Sequence, residues 1–261
     1  MRTPGPRTAS ATAPRSIGPM PTTLDLRDLP AALRAHLGPR TAWWTVRSPF
    51  EILVGCVLVQ NTNWRNVEGS LAGLRDASVD SPADLLNTTT PELTALIRSS
   101  GFQTSKERAL RGLCGWWATR LGGTGPAIEA PVEASALLAT SALLPETPTP
   151  QLRAELLGLR GIGPETADVI MLYLLGRGVF VSDTYARRLL TRLGLAVPRS
   201  YNALARLVTR RVDLDLAGWQ EFHGLIDDYG KQYCTGDAAW ERGPLAGHRL
   251  APKDGGAVHA R

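Results

Sequence analysis

Residues 156–194 read LLGLRGIGPETADVIMLYLLGRGVFVSDTYARRLLTRLG, and this stretch decides the fold. Gly161 and Gly163 predict a tight hairpin between two helices, because glycine adopts positive φ without steric cost. Pro164 suits the first position of the second helix, where its missing N–H costs nothing. The free N–H groups of that first turn lie beside bare glycine backbone and favour an anion. The stretch therefore predicts a helical hairpin that binds a phosphate.

Asp183 precedes the next apolar helical stripe and has two interpretations. As a helix cap it accepts a hydrogen bond from a first-turn N–H, which is the commoner role of Asp at such a position. As a functional residue it places a carboxylate one short loop beyond the hairpin, against the nucleic-acid backbone that the hairpin holds. The position relative to the hairpin favours the functional interpretation.

The chain has 261 residues, a formal net charge of +5 and a pI near 9.4. This length can bury a sizeable core. The positive charge suits a polyanionic partner, although many basic proteins bind none. The apolar runs are too short to span a membrane. The scattered cysteines, Cys56, Cys114 and Cys234, argue against a disulfide framework and for a reducing compartment, and no histidine stands at metal-ligand spacing from them.

Helix starts recur along the chain, whereas alternating strand patterns are almost absent. A Ser-Pro or Thr-Pro pair at 48–49, 81–82, 90–91 and 149–150 precedes leucine-bearing segments, as expected for capped helices with proline in the first turn. The sequence therefore predicts an all-α protein. We expect residues 1–22 to be a disordered tail and residues 243–261 a flexible one, since both lack periodicity.

An all-helical chain with a Leu-x-Gly-Ile-Gly hairpin and an Asp some twenty residues later resembles the helix-hairpin-helix DNA glycosylases of the endonuclease III superfamily. The resemblance is carried by residues 50–64 (FEILVGCVLVQNTNW), 100–108 (SGFQTSKER) and 156–193, and it covers about residues 25–235. It implies a six-helix barrel domain at 46–176 and a second helical domain built from 23–45 and 177–242. It also implies that a damaged base of double-stranded DNA is flipped into the cleft between them.

The resemblance assigns the catalytic role to Asp183, which would stabilise the oxocarbenium-like sugar and take a proton from the attacking water. Glu165 stands where bifunctional relatives have the Schiff-base lysine, which predicts base removal without efficient strand cleavage. Cys234 is the single remaining cysteine where many relatives have four closely spaced ones, so we expect no iron–sulfur cluster.

Glu165 in place of the lysine, the loss of the cluster cysteines and the aromatic pair Trp43-Trp44 resemble the 3-methyladenine DNA glycosylase branch of the superfamily. In that branch aromatic residues line the base pocket, and Trp43, Trp44 and Trp64 hold those places here, with Lys231 as a further candidate. Cation–π stacking of about 0.5–2 kcal/mol would favour positively charged lesions over normal bases. For these tryptophans, ordinary core packing is about as probable as pocket lining.

The resemblance also assigns residues to the DNA interface. Gln60 and Phe102 are candidate wedges for the space left by the flipped base, and Lys106 is a candidate phosphate contact. The remaining candidates are Asn61, Gly161, Gly163 and Thr166, with a possible monovalent cation on the hairpin carbonyls. We expect a monomeric, cytoplasmic enzyme associated with the nucleoid.

Three other functions remain open at this stage. Uracil or mismatched-adenine removal would keep Asp183 but require base-specific hydrogen bonds. A bifunctional enzyme for oxidised pyrimidines is disfavoured by Glu165. A DNA-binding module without catalysis would keep the glycines but would not need Asp183.

Overall fold

The computed structural model describes residues 22–40, 46–122 and 143–251. The helices of these ranges are α1 (Leu29–Leu37), α2 (Pro49–Leu58), α3 (Trp64–Asp76), α4 (Pro82–Asn87), α5 (Thr90–Leu96), α6 (Gln103–Leu121), α7 (Thr149–Leu157), α8 (Pro164–Tyr173), α9 (Thr184–Arg192), α10 (Tyr201–Thr209), α11 (Leu216–Tyr233) and α12 (Asp237–Glu241). Short 3-10 helices span Leu26–Asp28 and Arg98–Ser100. The predicted all-α class is confirmed.

Side-chain caps begin three of the four predicted helices, whereas α7 begins after Pro148 without one. The Ser48 hydroxyl accepts from the Glu51 N–H at 3.2 Å, and the Ser81 hydroxyl accepts from the Asp84 N–H at 3.2 Å. Thr89 forms a reciprocal capping box with Glu92, so α5 begins one residue before its proline. These local bonds satisfy first-turn N–H groups that would otherwise lack partners.

The core is one continuous apolar cluster centred on α2. Ile52, Leu53, Val54 and Val57 are all fully buried, although they point in different directions around the helix. Such a helix must be surrounded by others, and α8 and α6 pack against it. Apolar residues before and after position 177, the predicted domain boundary, belong to this same cluster. The division into domains at 46–176 and at 23–45 with 177–242 therefore stays a prediction.

A short parallel sheet joins the two ends of the described chain. Strand β1 (Thr22–Leu24) pairs with β2 (His248–Leu250), and the Leu250 N–H donates to the Leu193 carbonyl at 2.8 Å. The prediction of a flexible tail from 243 is wrong for residues 243–251, because Leu245 and Leu250 are buried and hold this segment on the core. Residues 1–21 and 252–261 lie outside the described part.

No helix in the described ranges is long and apolar enough to cross a membrane. Within the same ranges, no group of His, Cys, Asp or Glu side chains is arranged to hold a metal ion.

Candidate active site and nucleic-acid interface

The hairpin between α7 and α8 has the backbone that its glycines predict. Gly161 has φ of 87°, and a Cβ at this position would lie 2.9 Å from the Cβ of Ala109 on α6. Gly161 is therefore required both by its backbone conformation and by the close approach of α6. Gly163 caps α8 in an extended conformation, and the space around it is open. The N-terminus of α8 is thus left accessible for an anion.

An ion pair holds the two hairpin helices together. The Arg153 guanidinium on α7 makes a two-pronged contact with the Asp168 carboxylate on α8, at 2.6 and 3.1 Å. Asp168 is almost fully buried, and Arg153 also donates to Asn202. This geometry fixes the angle between the helices and hence the direction of the hairpin amides.

Gln60 is bonded to the hairpin rather than projecting as a free wedge. Its side-chain amide donates to the Gly161 carbonyl at 3.1 Å and to the Thr166 hydroxyl at 2.9 Å. Both bonds draw the amide toward α8 and brace the hairpin, while the wedge role of Gln60 in a DNA complex stays a prediction. The Gly161 carbonyl is one of the hairpin carbonyls predicted to bind a monovalent cation, and it already accepts this hydrogen bond from Gln60. The next residue, Asn61, is exposed with φ of 55°.

The prediction that Lys106 contacts a phosphate is wrong. Its side chain is only 2% exposed, and its ammonium donates to the carbonyls of Leu58 at 2.8 Å and Ser100 at 2.6 Å. Leu58 ends α2, so its carbonyl has no partner within the helix. Burial lowers the pKa of Lys106. Lys106 therefore ties the end of α2 to the loop before α6.

Phe102 has the geometry expected of a wedge. Its side chain is 66% exposed, an unusual state for a large apolar residue, and its backbone is left-handed with φ of 50°. The loop before Phe102 is held by the hydrogen bond from Lys106 to the Ser100 carbonyl. It continues into α6, which contacts the hairpin at Ala109. Its insertion into DNA stays a prediction.

Asp183 caps a helix and also faces a histidine, while its catalytic role stays a prediction. One carboxylate oxygen, Oδ1, accepts from the Ala186 N–H at 2.7 Å and caps α9. The other, Oδ2, lies 3.8 Å from Nε2 of His223 on α11. The side chain is 13% exposed, so it is sheltered and still reachable. Capping fixes the orientation of the carboxylate and leaves one oxygen for chemistry.

His223 is oriented by Tyr173, the last residue of α8. The Tyr173 hydroxyl lies 2.5 Å from Nδ1 of His223. Burial raises the pKa of Tyr173 well above its usual value, so its hydroxyl stays protonated. The same hydroxyl lies 3.3 Å from the Gln220 carbonyl, which holds it beside His223. The imidazole ring is thereby fixed with Nε2 toward Asp183.

Two further carboxyl groups border this pair. Glu165, in the first turn of α8, is exposed, and its pKa is raised first by loss of hydration and then by the charge of Asp183. Burial likewise raises the pKa of Asp227 on α11, against the opposing effect of its bond with Lys231. Asp183, Glu165 and Asp227 thus form a cluster of carboxyl groups around His223, in which Asp227 is paired with Lys231.

A family model for HhH-GPD superfamily base excision DNA repair proteins matches residues 54–213, which include the hairpin and Asp183. The chain belongs to this superfamily. A provisionally named DNA repair glycosylase of Methanocaldococcus jannaschii is 32% identical over 204 residues, covering 78% of this chain and 86% of that protein.

Two solved structures have the same fold as this HhH-GPD chain. The 3-methyladenine DNA glycosylase of H. pylori, MagIII, bound to 1,N6-ethenoadenine, has a TM-score of 0.64 and 26% identity over 80% of this chain and 98% of its own. A non-covalent endonuclease III–DNA complex has a TM-score of 0.64 and 21% identity, covering 86% and 97%. The second likeness concerns the fold alone.

The remaining pocket candidates of this HhH-GPD protein are unequally placed. Trp43 and Trp44 lie outside the described residues. Trp64 begins α3, partly buried against the core, and its place in a base pocket stays a prediction. Lys231 is 55% exposed and its ammonium is 2.5 Å from Asp227, so the lysine is occupied by an ion pair on its own helix.

The segment after α11 does not supply the ligands of an iron–sulfur cluster. Cys234 is a single buried thiol there, whereas Cys56 and Cys114 lie in the core. Residues 237–241 form α12 instead, and Trp240 packs edge-on against Tyr229 with ring centroids 6.3 Å apart. A four-cysteine cluster does not fit this donor set. The absence of other cofactors stays a prediction.

Sequence analysis missed His223, Tyr173 and Asp227 as site residues. A signal was present, since Glu165 and Tyr173 are both on α8 and His223 lies four residues before Asp227 on α11. At helical spacing such residues share a face. The sequence does not show that α11 packs beside the start of α9. The two helices are so close that a Cβ on Gly230 of α11 would lie 2.5 Å from the side chain of Tyr185 on α9.

Proposed function

We propose that this HhH-GPD protein is a monofunctional DNA glycosylase that removes positively charged, N-alkylated purines of the 3-methyladenine type. The observation that carries the proposal is Glu165. A carboxyl group stands where the resemblance places the lyase lysine, and it lies close enough to Asp183 for the two charges to interact.

The lysines of the chain support a monofunctional glycosylase, which forms no covalent imine with the sugar. A covalent imine requires an uncharged amine at the sugar. The sequence has lysines at 106, 231 and 253 only. Lys106 is buried between two carbonyls and Lys231 is paired with Asp227, while Lys253 lies outside the described residues. Water is therefore the nucleophile we assign.

The mechanism assigns the water to the space beside Asp183 Oδ2 and His223 Nε2. A water molecule about 2.8 Å from each atom can bridge their separation of 3.8 Å. As the water oxygen bonds to C1′, the C1′–N bond breaks and its electron pair leaves with the base. The proton lost by the water passes to Asp183.

The charge of the site supports the choice of lesion. An alkylated purine carries a formal positive charge, and its glycosidic bond is already weakened, so little acid catalysis is needed. Asp183, with Glu165 close to it, attracts that charge and also the positive charge that develops on the sugar. The likeness to MagIII, at 26% identity, agrees with this substrate class.

A lesion panel tests this function. Duplexes with alkylated, deaminated or oxidised bases are incubated with the protein, and base release is separated from strand cleavage by omitting or adding alkali. We expect release of alkylated purines, and no adduct after borohydride treatment. Preferred release of uracil or an oxidised pyrimidine, or a borohydride-stable adduct, would overturn the proposal.

A further inference from the structure

A cationic cavity of about 480 Å³ lies between α9 and the chain that follows α11, apart from the Asp183–His223 pair. Helix α9 contributes Arg187, Arg188 and Arg192 to its lining, and the following segment contributes Cys234 and Thr235. The volume falls within the range of small-molecule sites in proteins. Neither the proposed chemistry nor the hairpin uses these side chains.

The arginines differ in how firmly they are held. Arg187 donates to the Pro198 carbonyl at 2.7 Å, and Arg192 is paired at 2.5 Å with Asp237, whose side chain is 86% exposed. The Arg188 guanidinium lies 5.8 Å from the centre of the Tyr185 ring. Among the described residues, the one carboxylate paired with these three guanidinium groups is that of Asp237, which solvent screens, so the site has a net positive charge.

The lining selects the class of ligand. Guanidinium groups are donors without acceptor capacity, and their planar fork matches an oxyanion with several oxygens. A metal ion does not suit the cavity, because burial raises the pKa of its single thiol, Cys234, to about 11 and keeps that thiol protonated. The donors and the charge both fit a phosphate group.

We propose that this cavity is a second phosphate-binding site, distinct from the hairpin. The phosphate can come from the DNA backbone or from a free ion such as pyrophosphate. Arg187 and Arg188 follow Asp183 by about 6–8 Å along the axis of α9. That distance lies within the span of one or two nucleotides, so a DNA phosphate beside the damaged site is within reach.

The variant Arg188→Met tests the site, because Arg188 is exposed and its replacement leaves the bonds of Arg187 and Arg192 intact. Arg206→Met on α10 is the matched control, since Arg206 is also exposed and lies outside the cavity. Each protein is titrated with pyrophosphate at constant ionic strength, and the thermal midpoint is followed. We expect a saturable rise for the wild type and for Arg206→Met, with an apparent affinity about tenfold weaker for Arg188→Met.

A second experiment distinguishes a DNA phosphate from a free phosphate ion as the ligand. Binding of an undamaged duplex is measured at several salt concentrations for the same proteins. If the phosphate belongs to DNA, Arg188→Met lowers the salt slope by about 0.9 relative to Arg206→Met, and pyrophosphate competes with the duplex. If it is a free ion, the two variants bind the duplex equally while the difference in pyrophosphate affinity remains.

The proposal is overturned if the wild type shows no saturable response to pyrophosphate and the two variants bind DNA with the same affinity and salt slope. Arg188→Lys is the control for effects on phosphate binding that any substitution at this position would cause. It keeps the charge but loses the forked donor, so we expect its pyrophosphate affinity to lie between those of the wild type and Arg188→Met.

Discussion

Asp183 uses its two carboxylate oxygens for different purposes: Oδ1 caps α9 through the Ala186 N–H, and Oδ2 lies 3.8 Å from Nε2 of His223. The cap is a property of the local sequence, whereas the contact with His223 depends on the packing of α11. The cap fixes the orientation of the carboxylate, and the mechanism we propose places its water between Oδ2 and Nε2.

Asp183→Asn should separate stability from chemistry. Asparagine is as good a cap as aspartate, so the free energy of unfolding should change by less than about 1 kcal/mol. Base release should fall by about a hundredfold or more, because the neutral amide neither takes the proton nor stabilises the sugar cation. Chemical denaturation and single-turnover base release measure the two effects. Retained base release would exclude Asp183 as the catalytic residue.

His223→Gln should slow base release by about tenfold to a hundredfold while leaving DNA affinity unchanged. Glutamine retains a donor but does not reproduce the position of Nε2, so the water is held less well. His36→Gln serves as the control, because His36 is exposed in the last turn of α1 and has no role in the proposed mechanism. Equal single-turnover rates for the two variants would remove His223 from the mechanism.

Lys106→Met should destabilise the protein by about 1–3 kcal/mol, because it leaves the carbonyls of Leu58 and Ser100 without their donor. Lys231→Met removes the 55% exposed partner of an ion pair and should cost about 1 kcal/mol or less, because the raised pKa of Asp227 lets its carboxyl group take up a proton once the lysine is absent. Urea denaturation compares the two variants. A loss of DNA affinity without any loss of stability in Lys106→Met would restore a phosphate contact for this residue.

Glu165→Gln should raise the thermal midpoint at neutral pH, and the gain should disappear at low pH. The folded state raises the pKa of Glu165, so its ionisation costs stability as the pH rises through that raised pKa. Below the unfolded pKa of about 4.3 the carboxyl group is protonated in both states, and the two proteins should then differ little. Melting curves across this range are the measurement, and a midpoint difference that grows toward low pH would contradict the assigned direction.

Much of the fold was predictable because its signals are local. The conformation of Gly161, the cap at Asp183 and the Ser-Pro helix starts depend on neighbouring residues, and each is present in the structure. The side-chain contacts of Lys106, Gln60 and His223 were not predicted, because they depend on partners up to 106 residues away. The pairing of β1 with β2 was missed for the same reason, since each strand has only three residues and no alternation to reveal it.

The most direct measurement of the proposed function is release of free bases from methylated duplex DNA by the wild type and by Asp183→Asn, with the products identified by chromatography. We expect the wild type to release 3-methyladenine, and we expect Asp183→Asn to bind the same DNA without releasing it. If the wild type releases neither 3-methyladenine nor 7-methylguanine, the substrate assignment is contradicted, whereas membership of the HhH-GPD superfamily, which rests on residues 54–213, is unaffected.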